Sequence, residues 1–312
     1  MSTADLTAPQ FTDEAAAREH LEALRWPNGV SCPHCGSFEG ITKMQGKSHR
    51  PGLFLCGGCR GHFSVTVGTV YERSHIPLHK WLLATHLMTS SKKGISAHQL
   101  HRMLGITYKS AWFMCHRIRE AMDDKTPTPM GGEGKTVEVD ETYIGQKANH
   151  TKDSGAHHKM TVVTLVERGG RAKSFKVDKA TARDIVPIVR ANVDKASKLM
   201  TDEARWYWQV GTDFEAHGRV NHKRGEYGRG DVHTNTVEGY YSVFKRGMKG
   251  VYQHCSERHL QRYLAEFDFR YSNRAKLGVT DKERAEKALK SIEGKRLTYR
   301  RINERAEDAP LG

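Results

Sequence analysis

No run of this 312-residue sequence is apolar for the roughly 20 residues that a membrane-spanning helix needs, and no amphipathic anchor helix stands out. The first residues, MSTADLTAPQFTDEAAA, carry neither a basic n-region nor an apolar h-region, so they do not read as a secretory signal. Acid is in short supply: 36 Asp and Glu stand against 50 Lys and Arg, a formal net charge of +14. That deficit argues against cationic partners and favours a polyanion, most simply nucleic acid; an anionic membrane surface, the competing partner, lacks its anchor. Cysteine is scarce as well. There are six, and Cys115 and Cys255 stand alone. The expectation is a cytoplasmic, nucleoid-associated chain, where paired cysteines point to metal before disulfide.

The remaining four cysteines form two tight pairs, Cys32-x-x-Cys35 and Cys56-x-x-Cys59, separated by 20 residues. That is zinc-ribbon spacing: each pair sits on a tight turn, the second helped by Gly57 and Gly58, and four thiolates converge on one tetrahedral Zn²⁺. So small a unit cannot fold on a hydrophobic core, so the metal supplies its folding energy. His34, Lys47, Arg60 and His62 make nucleic-acid contact conceivable there, but spacing does not decide it. Ahead of the ribbon, TDEAAAREHLEALR (12–25) reads as a short amphipathic helix with Thr12 as N-cap and Ala17, Leu21 and Leu24 on one face.

Residues 79–122 predict three helices. Trp81, Leu82 and Leu87 mark the first, Leu100 and Leu104 the second, and a third starts near Thr107 after a turn at Gly105, carrying Ala111, Met114, Cys115 and Ile118. Helix, glycine-containing turn, helix is the layout of a helix-turn-helix. Tyr108, Lys109, Ser110 and Trp112 then open the candidate recognition helix, with Arg117 further along it, as DNA-binding residues. An ordinary three-helix bundle is the plainer alternative.

DDKTPTPMGGEG (123–134) has no periodicity and reads as a linker. Beyond it the pattern turns to strands: TVEVDETYIG, then two β-rich runs hinged on Gly169-Gly170, a helix with Pro187 inside it that predicts a kink or early break, a short strand ending at Asp202, and another helix. The order suggests an α/β domain with a mixed sheet, Asp140 and Asp202 both near strand ends. The expected division is an N-terminal helical segment (1–28), zinc ribbon (29–72), helix-turn-helix region (73–124), linker (125–134), α/β domain (135–275) and a charged C-terminal helix and tail (276–312). That last segment could serve DNA or a partner subunit, or simply be solvated.

Open α/β sheets place ligands at strand ends. Two carboxylates arriving there from distant parts of the chain stay ionised together only if a cation neutralises them, and hard oxygen ligands select Mg²⁺ or Mn²⁺. Either aspartate alone is more simply a turn residue. A third acid, Glu238, lies in VHTNTVEGYYSVFKRG (232–247). Asn235 through Glu238 fits a capping box, worth about 1 kcal/mol. A cap does not explain Lys245 two turns along the same helix side, beside which a metal-bound phosphate could rest. Val237, Tyr240, Tyr241, Phe244 and Met248 make the expected packing face.

TVEVDETYIG, LMTDE and the long block HTNTVEGYYSVFKRGMKGVYQHCSERHLQRYLAEFDFRYSNR together resemble the insertion-sequence transposases of the DDE type. The resemblance is to the bacterial relatives of Merlin transposons that carry an N-terminal zinc ribbon, and LRWPNGVSCPHCG matches the entry to that ribbon. It runs from about Phe11 to Arg274. It implies a ribonuclease-H-like catalytic domain over 135–275, with Asp140, Asp202 and Glu238 as the acids holding two Mg²⁺ or Mn²⁺ ions and Lys245 as the basic residue after the third. Members of the group use Asn or Glu as third ligand, and both are present; an anion binds a divalent cation better than a neutral amide, which favours Glu238 over Asn235. Arg246 would neutralise phosphate or belong to a solvated basic face. His233 would hold the scissile region or be structural, and Tyr143 is a less favoured alternative nucleophile. The partners implied are double-stranded DNA, as terminal inverted repeats and target, and a second copy of the chain, since cutting and joining two ends takes two active sites. Competing readings are a zinc-ribbon and helix-turn-helix regulator with an inactive catalytic domain, and a nuclease that only hydrolyses DNA.

Overall fold

The computed structural model describes residues 5–125, 128–147 and 158–298. The chain divides into two compact units. One takes residues 6–84, 97–121 and 289–298 of the described chain; the other takes residue 5, 85–96 and 122–288.

The first unit begins with α1 (Pro9–Thr12) and α2 (Glu14–Arg25). The cap between them is Asp13, not Thr12: its side chain accepts the Ala16 N–H at 2.8 Å, while Thr12 closes the preceding turn. Strands β1 (Ile41–Lys43), β2 (Phe54–Cys56) and β3 (His62–Phe63) form a small antiparallel sheet. Its core is three aromatic rings, Trp26, Phe54 and Phe63, with centroids 5.5–6.0 Å apart. Arg25 ties α2 to the chain after β3 by donating to the Val65 and Val67 carbonyls. Helices α3 (Leu78–Ser90), α4 (Ala97–Leu104) and α5 (Tyr108–Met122) follow, α3 passing from this unit into the other. Leu100, Leu104, Ala111, Met114, Cys115 and Ile118 are all buried, and Gly105 takes the left-handed turn (φ +60°) that glycine tolerates best.

The second unit is a five-stranded mixed sheet made of β4 (Thr136–Ile144), β5 (Met160–Glu167), β6 (Ala172–Val177), then α6 (Ala182–Asn192), β7 (Lys198–Thr201), α7 (Trp206–Gly211) and β8 (Ala216–Arg219). The strand order is β6-β5-β4-β7-β8: a three-strand antiparallel meander, then two strands parallel to β4. A small hairpin, β9 (Gly228–Arg229) and β10 (Val232–His233), leads into α8 (Asn235–Gly247), and α9 (Leu260–Ser272) and α10 (Asp281–Lys290) follow.

Strand alternation sorts side chains to the two faces. Val137, Val139, Val163 and Leu165 pack against α6 and α7. Ile144, Met160, Val162 and Val166 pack on the other face against Val237, Tyr241 and Phe244 of α8 and Leu264 and Phe267 of α9. Glu138 and Asp140, on alternate positions of β4, therefore face α8. Pro187 neither breaks nor ends α6, which runs on to Asn192; the residue lies on the helix's exposed face, where the lost hydrogen bond opens to water.

Two expected segments differ. The described end of the linker is built into the sheet unit: Met130 is buried, its N–H donates to the Asn192 carbonyl, and its carbonyl accepts from Asp194. An apolar side chain with both backbone groups paired has no reason to leave the core. The charged C-terminal helix is not simply solvated either. Buried Arg284 donates to the carbonyls of Asn273 and Thr89 and pairs with Asp281, and residues 292–294 hydrogen-bond to 68–70 in the first unit.

Candidate active site

The metal-binding turns come together as the spacing predicts. The Sγ atoms of Cys32 and Cys59 are 3.7 Å apart, those of Cys35 and Cys56 3.6 Å, and all four lie within 4.8 Å of one another. Gly57 passes so close to the Gly40 carbonyl that a Cβ there would sit 3.0 Å from its oxygen. The Cys59 backbone N–H pulls the Cys56 thiol down to about 7. Four convergent thiols within 4.8 Å of one another are a structural zinc site.

The acids assemble differently. β4 and β7 run parallel in the register Thr136↔Lys198 to Glu138↔Met200. Continued by two residues, that register brings Asp140 level with Asp202, which directly follows β7. Asp140 is therefore not at the end of its own strand, which continues to Ile144, but just past the end of its pairing with β7. Tyr241 of α8 donates to the Asp140 backbone carbonyl at 2.6 Å, pinning this point of the sheet to α8. Burial, together with the charges of Glu141, Asp202 and Glu238, pushes the Asp140 carboxyl well above the usual carboxylate range. Burial also raises Asp202, and it pushes Glu141 up to about 7 although Tyr207 donates to it at 2.7 Å. Burial lowers the Lys245 ammonium while Asp140 partly offsets the effect, so this lysine lies within electrostatic reach of the acids.

Among the described residues, only the cysteines bring three or more thiol, imidazole or carboxylate ligand atoms within 4.8 Å of one another. The three acids are not gathered that closely. Oxygen-only donors on which burial and neighbouring charges hold protons would suit a hard cation such as Mg²⁺ or Mn²⁺.

Glu238 does not close a capping box. The N-cap is Thr234, Asn235 is the exposed first helical residue, and the Thr234 hydroxyl donates to Glu238 at 2.8 Å. The helix start is capped from outside: buried Glu138 accepts from the Thr236 and Val237 N–H groups (2.7 and 2.9 Å) and from the Thr236 hydroxyl. Arg168 pairs with Glu138 at 2.6 Å and holds His233 through its ring and carbonyl, so His233 belongs to this scaffold rather than to a substrate site. Freed of the capping task, Glu238 keeps a half-exposed carboxylate with His222 3.5 Å away. The backbone N–H of His222 donates to Glu203, next to Asp202, so one loop links the second and third acids.

Two family models match the chain: a transposase zinc-ribbon domain over residues 12–62 and an ISXO2-like transposase domain over 131–272. A protein of Halobacterium salinarum described as an uncharacterized protein in transposable element ISH50 is 31% identical over 278 residues, 83% of this chain and 91% of its own length. The chain belongs to the ISXO2-like insertion-sequence transposases. The matched domain contains all three acids, and the ribbon match contains all four cysteines.

The helices of this transposase treat the expected DNA contacts unequally. Thr107 caps α5 by accepting the Ser110 N–H and bonding its hydroxyl, which occupies Ser110 locally. Tyr108 is exposed and stacks on His98 of α4, ring centroids 4.1 Å apart, with Lys109 exposed beside it and Trp112 half-buried against His116. Arg117 is not available to DNA. It is buried, donates to the Glu72 carbonyl at 2.6 Å and lies over the rings of Trp81 and Phe113. Tyr143 is exposed beside the acids; burial and their charges raise its hydroxyl, which therefore stays protonated and makes a poor nucleophile. No helix of the described residues is long and apolar enough to cross a membrane.

Sequence reasoning missed Glu138, Arg168, His222, Glu141 and Tyr207. Only Glu138 carried a signal. It sits between Val137 and Val139, so alternation places it on the face of Asp140 rather than among the valines.

Proposed function

We propose that the sheet unit is a ribonuclease-H-like catalytic domain that nicks DNA at transposon ends and joins the 3′ ends to target DNA, using Asp140, Asp202 and Glu238 to hold two Mg²⁺ or Mn²⁺ ions. What carries this reading is the parallel β4–β7 register, which two residues beyond its last pair, Glu138↔Met200, levels Asp140 with Asp202, together with the electrostatic coupling of Glu238 to Asp140 from the first turn of α8. The strand order, an antiparallel meander followed by two parallel strands, supports the fold assignment. Held by Asp140, Asp202 and Glu238, such ions would supply Lewis-acid activation of the attacking hydroxyl and charge neutralisation at the leaving oxygen of an in-line displacement. The chain's own groups do the rest. Tyr241 and the Glu138 cap fix α8 against β4, and so set where Glu238 stands. Lys245, half-buried against Tyr241, offers a cation to a phosphate oxygen near Asp140. Arg246 is exposed, with its Nε on the Ser242 carbonyl and the rest of the guanidinium facing outward to phosphate. Asn235 stands aside on the exposed first turn.

Tyr108, Lys109 and Trp112 at the start of α5 read terminal repeats in this scheme, α4 and α5 serving as a helix-turn-helix, and two copies act on a pair of ends. The test is a joining assay with a 3′-OH donor duplex and a plasmid target in Mg²⁺. The wild-type chain gives joined product and Asp140→Ala gives none. Cutting without joining would make the chain a nuclease, and neither activity would leave the regulator reading.

A further inference from the structure

At the β8 edge the sheet unit carries a cleft of about 490 Å³, lined among others by Glu203, Trp208, His217, Arg219, Arg224 and Arg229. Trp208, on α7, is 55% exposed, and Tyr227, just before the β9–β10 hairpin, is 68% exposed. The Arg219 guanidinium lies over the Trp208 indole, 5.1 Å from its centroid. Arg229 has Glu226 as a partner at 3.4 Å; among the described residues no carboxylate pairs with Arg219 or Arg224. An exposed indole beside two arginines that no described carboxylate pairs, Arg219 and Arg224, is the composition of a nucleic-acid stacking platform.

The platform is fixed rather than loose. His217 backs it and bonds the Thr201 hydroxyl at 2.9 Å, directly before Asp202. Gly211 makes room for that ring: a Cβ there would lie 1.9 Å from His217 Nδ1. Burial, with Arg219 nearby, lowers the imidazole to about 4, so it stays neutral beside the arginines at physiological pH. Glu203, which directly follows Asp202, lines the cleft and accepts the backbone N–H of His222, whose ring lies 3.5 Å from Glu238, so the cleft is tied to the segments that carry two of the acids.

We propose that this cleft holds one unpaired nucleotide of the DNA strand being cut, its base stacked on Trp208 and its flanking phosphates on Arg219 and Arg224. Inside a duplex both faces of a base are already covered by its neighbours, so only an unpaired base can use the indole. The arginines supply the anion sites that a protein partner would not need in such density. This assignment rests on the DNA-cutting reading above and names the state of its substrate, locally opened rather than fully paired.

The test uses zinc-loaded, full-length protein without added Mg²⁺, so that binding is read without cleavage. Affinity is measured by fluorescence anisotropy for a blunt duplex and for the same duplex with a single-stranded thymidine extension. The extension strengthens binding by the wild type. Trp208→Ala weakens binding of the extended duplex about tenfold, as loss of one stacked base would, and leaves the blunt duplex unchanged, while Trp208→Phe retains most of the preference. In a second readout on the wild type alone, 2-aminopurine placed in the extension loses emission on binding. The proposal is overturned if the extension adds no affinity, if Trp208→Ala costs both duplexes equally, or if the 2-aminopurine stays bright. If the wild type binds neither duplex, the DNA-cutting reading itself fails; if it binds both equally, only the platform does.

Discussion

The cysteine quartet and the acid trio are both metal sites in this reading, built in opposite ways. The thiols come from two turns of one small sheet, all within 4.8 Å of one another, beside a small core that includes three stacked and edge-on aromatic rings. The acids come from two strands and a helix spread over residues 140–238, held apart by a packed sheet with helices on both faces. In the first case the metal makes the fold. In the second the fold comes first and pays for crowding like charges.

The sharpest way to break that comparison is to remove one ligand from each. Cys56→Ser should release zinc and unfold the ribbon, because structural zinc supplies about 10 kcal/mol or more of folding energy in such modules. A chelator dye and circular dichroism would follow both, and a ribbon that stays folded without zinc would show that its aromatic core suffices. Next in size is the buried pair behind the acids. Glu138→Ala leaves Arg168 unpaired and the start of α8 uncapped, and should cost about 3–5 kcal/mol in urea unfolding. A loss no larger than that of a surface change, about 0.5 kcal/mol, would mean that α8 is held by packing alone.

The acids should respond in the other direction. In zinc-loaded protein without Mg²⁺, Asp140→Asn removes an ionisable group that burial and the neighbouring acids disfavour, and should raise the melting temperature of the sheet unit by a few degrees, about 1 kcal/mol. The pH effect is the subtlest. Burial makes folded Glu141 hold its proton up to about 7, against 4.5 ordinarily. Unfolding therefore releases a proton in that window, and stability falls as pH rises from 4.5 to 7. Asp140 and Asp202, also raised, act with the same sign. Added Mg²⁺ should restore stability mostly at the upper end of the range, where the carboxylates are ionised. A melting temperature flat across it, with and without Mg²⁺, would show that the acids are not crowded.

The same contrast explains what was legible in the sequence. The ribbon's chemistry is local: two short spacings specify four ligands, and no knowledge of packing is needed. The second and third helices of residues 79–122 were legible from periodicity because Leu100, Leu104, Ala111, Met114, Cys115 and Ile118 recur at helical spacing and are buried, although polar side chains such as His116 and Arg117 are buried with them. Asp140 and Asp202 were legible as strand-borne acids, but their common level depends on a parallel register between strands some sixty residues apart, which no short motif states. Glu238 looked like half of a capping box because Asn-x-x-Glu is a sound local signal; a carboxylate from β4, nearly a hundred residues away, takes the capping role instead. Arg117 looked like a DNA contact because charge is visible in sequence, whereas the carbonyl and the two rings that claim it are not.

The most direct test of the central claim pits the two neighbours on α8 against each other. Joining of a 3′-OH donor to target DNA in Mg²⁺ should be lost, by on the order of a thousandfold, in Glu238→Gln and remain near wild type in Asn235→Ala. Joining that survives Glu238→Gln but fails in Asn235→Ala would contradict the account, and would move the third ligand to the residue that the fold leaves exposed.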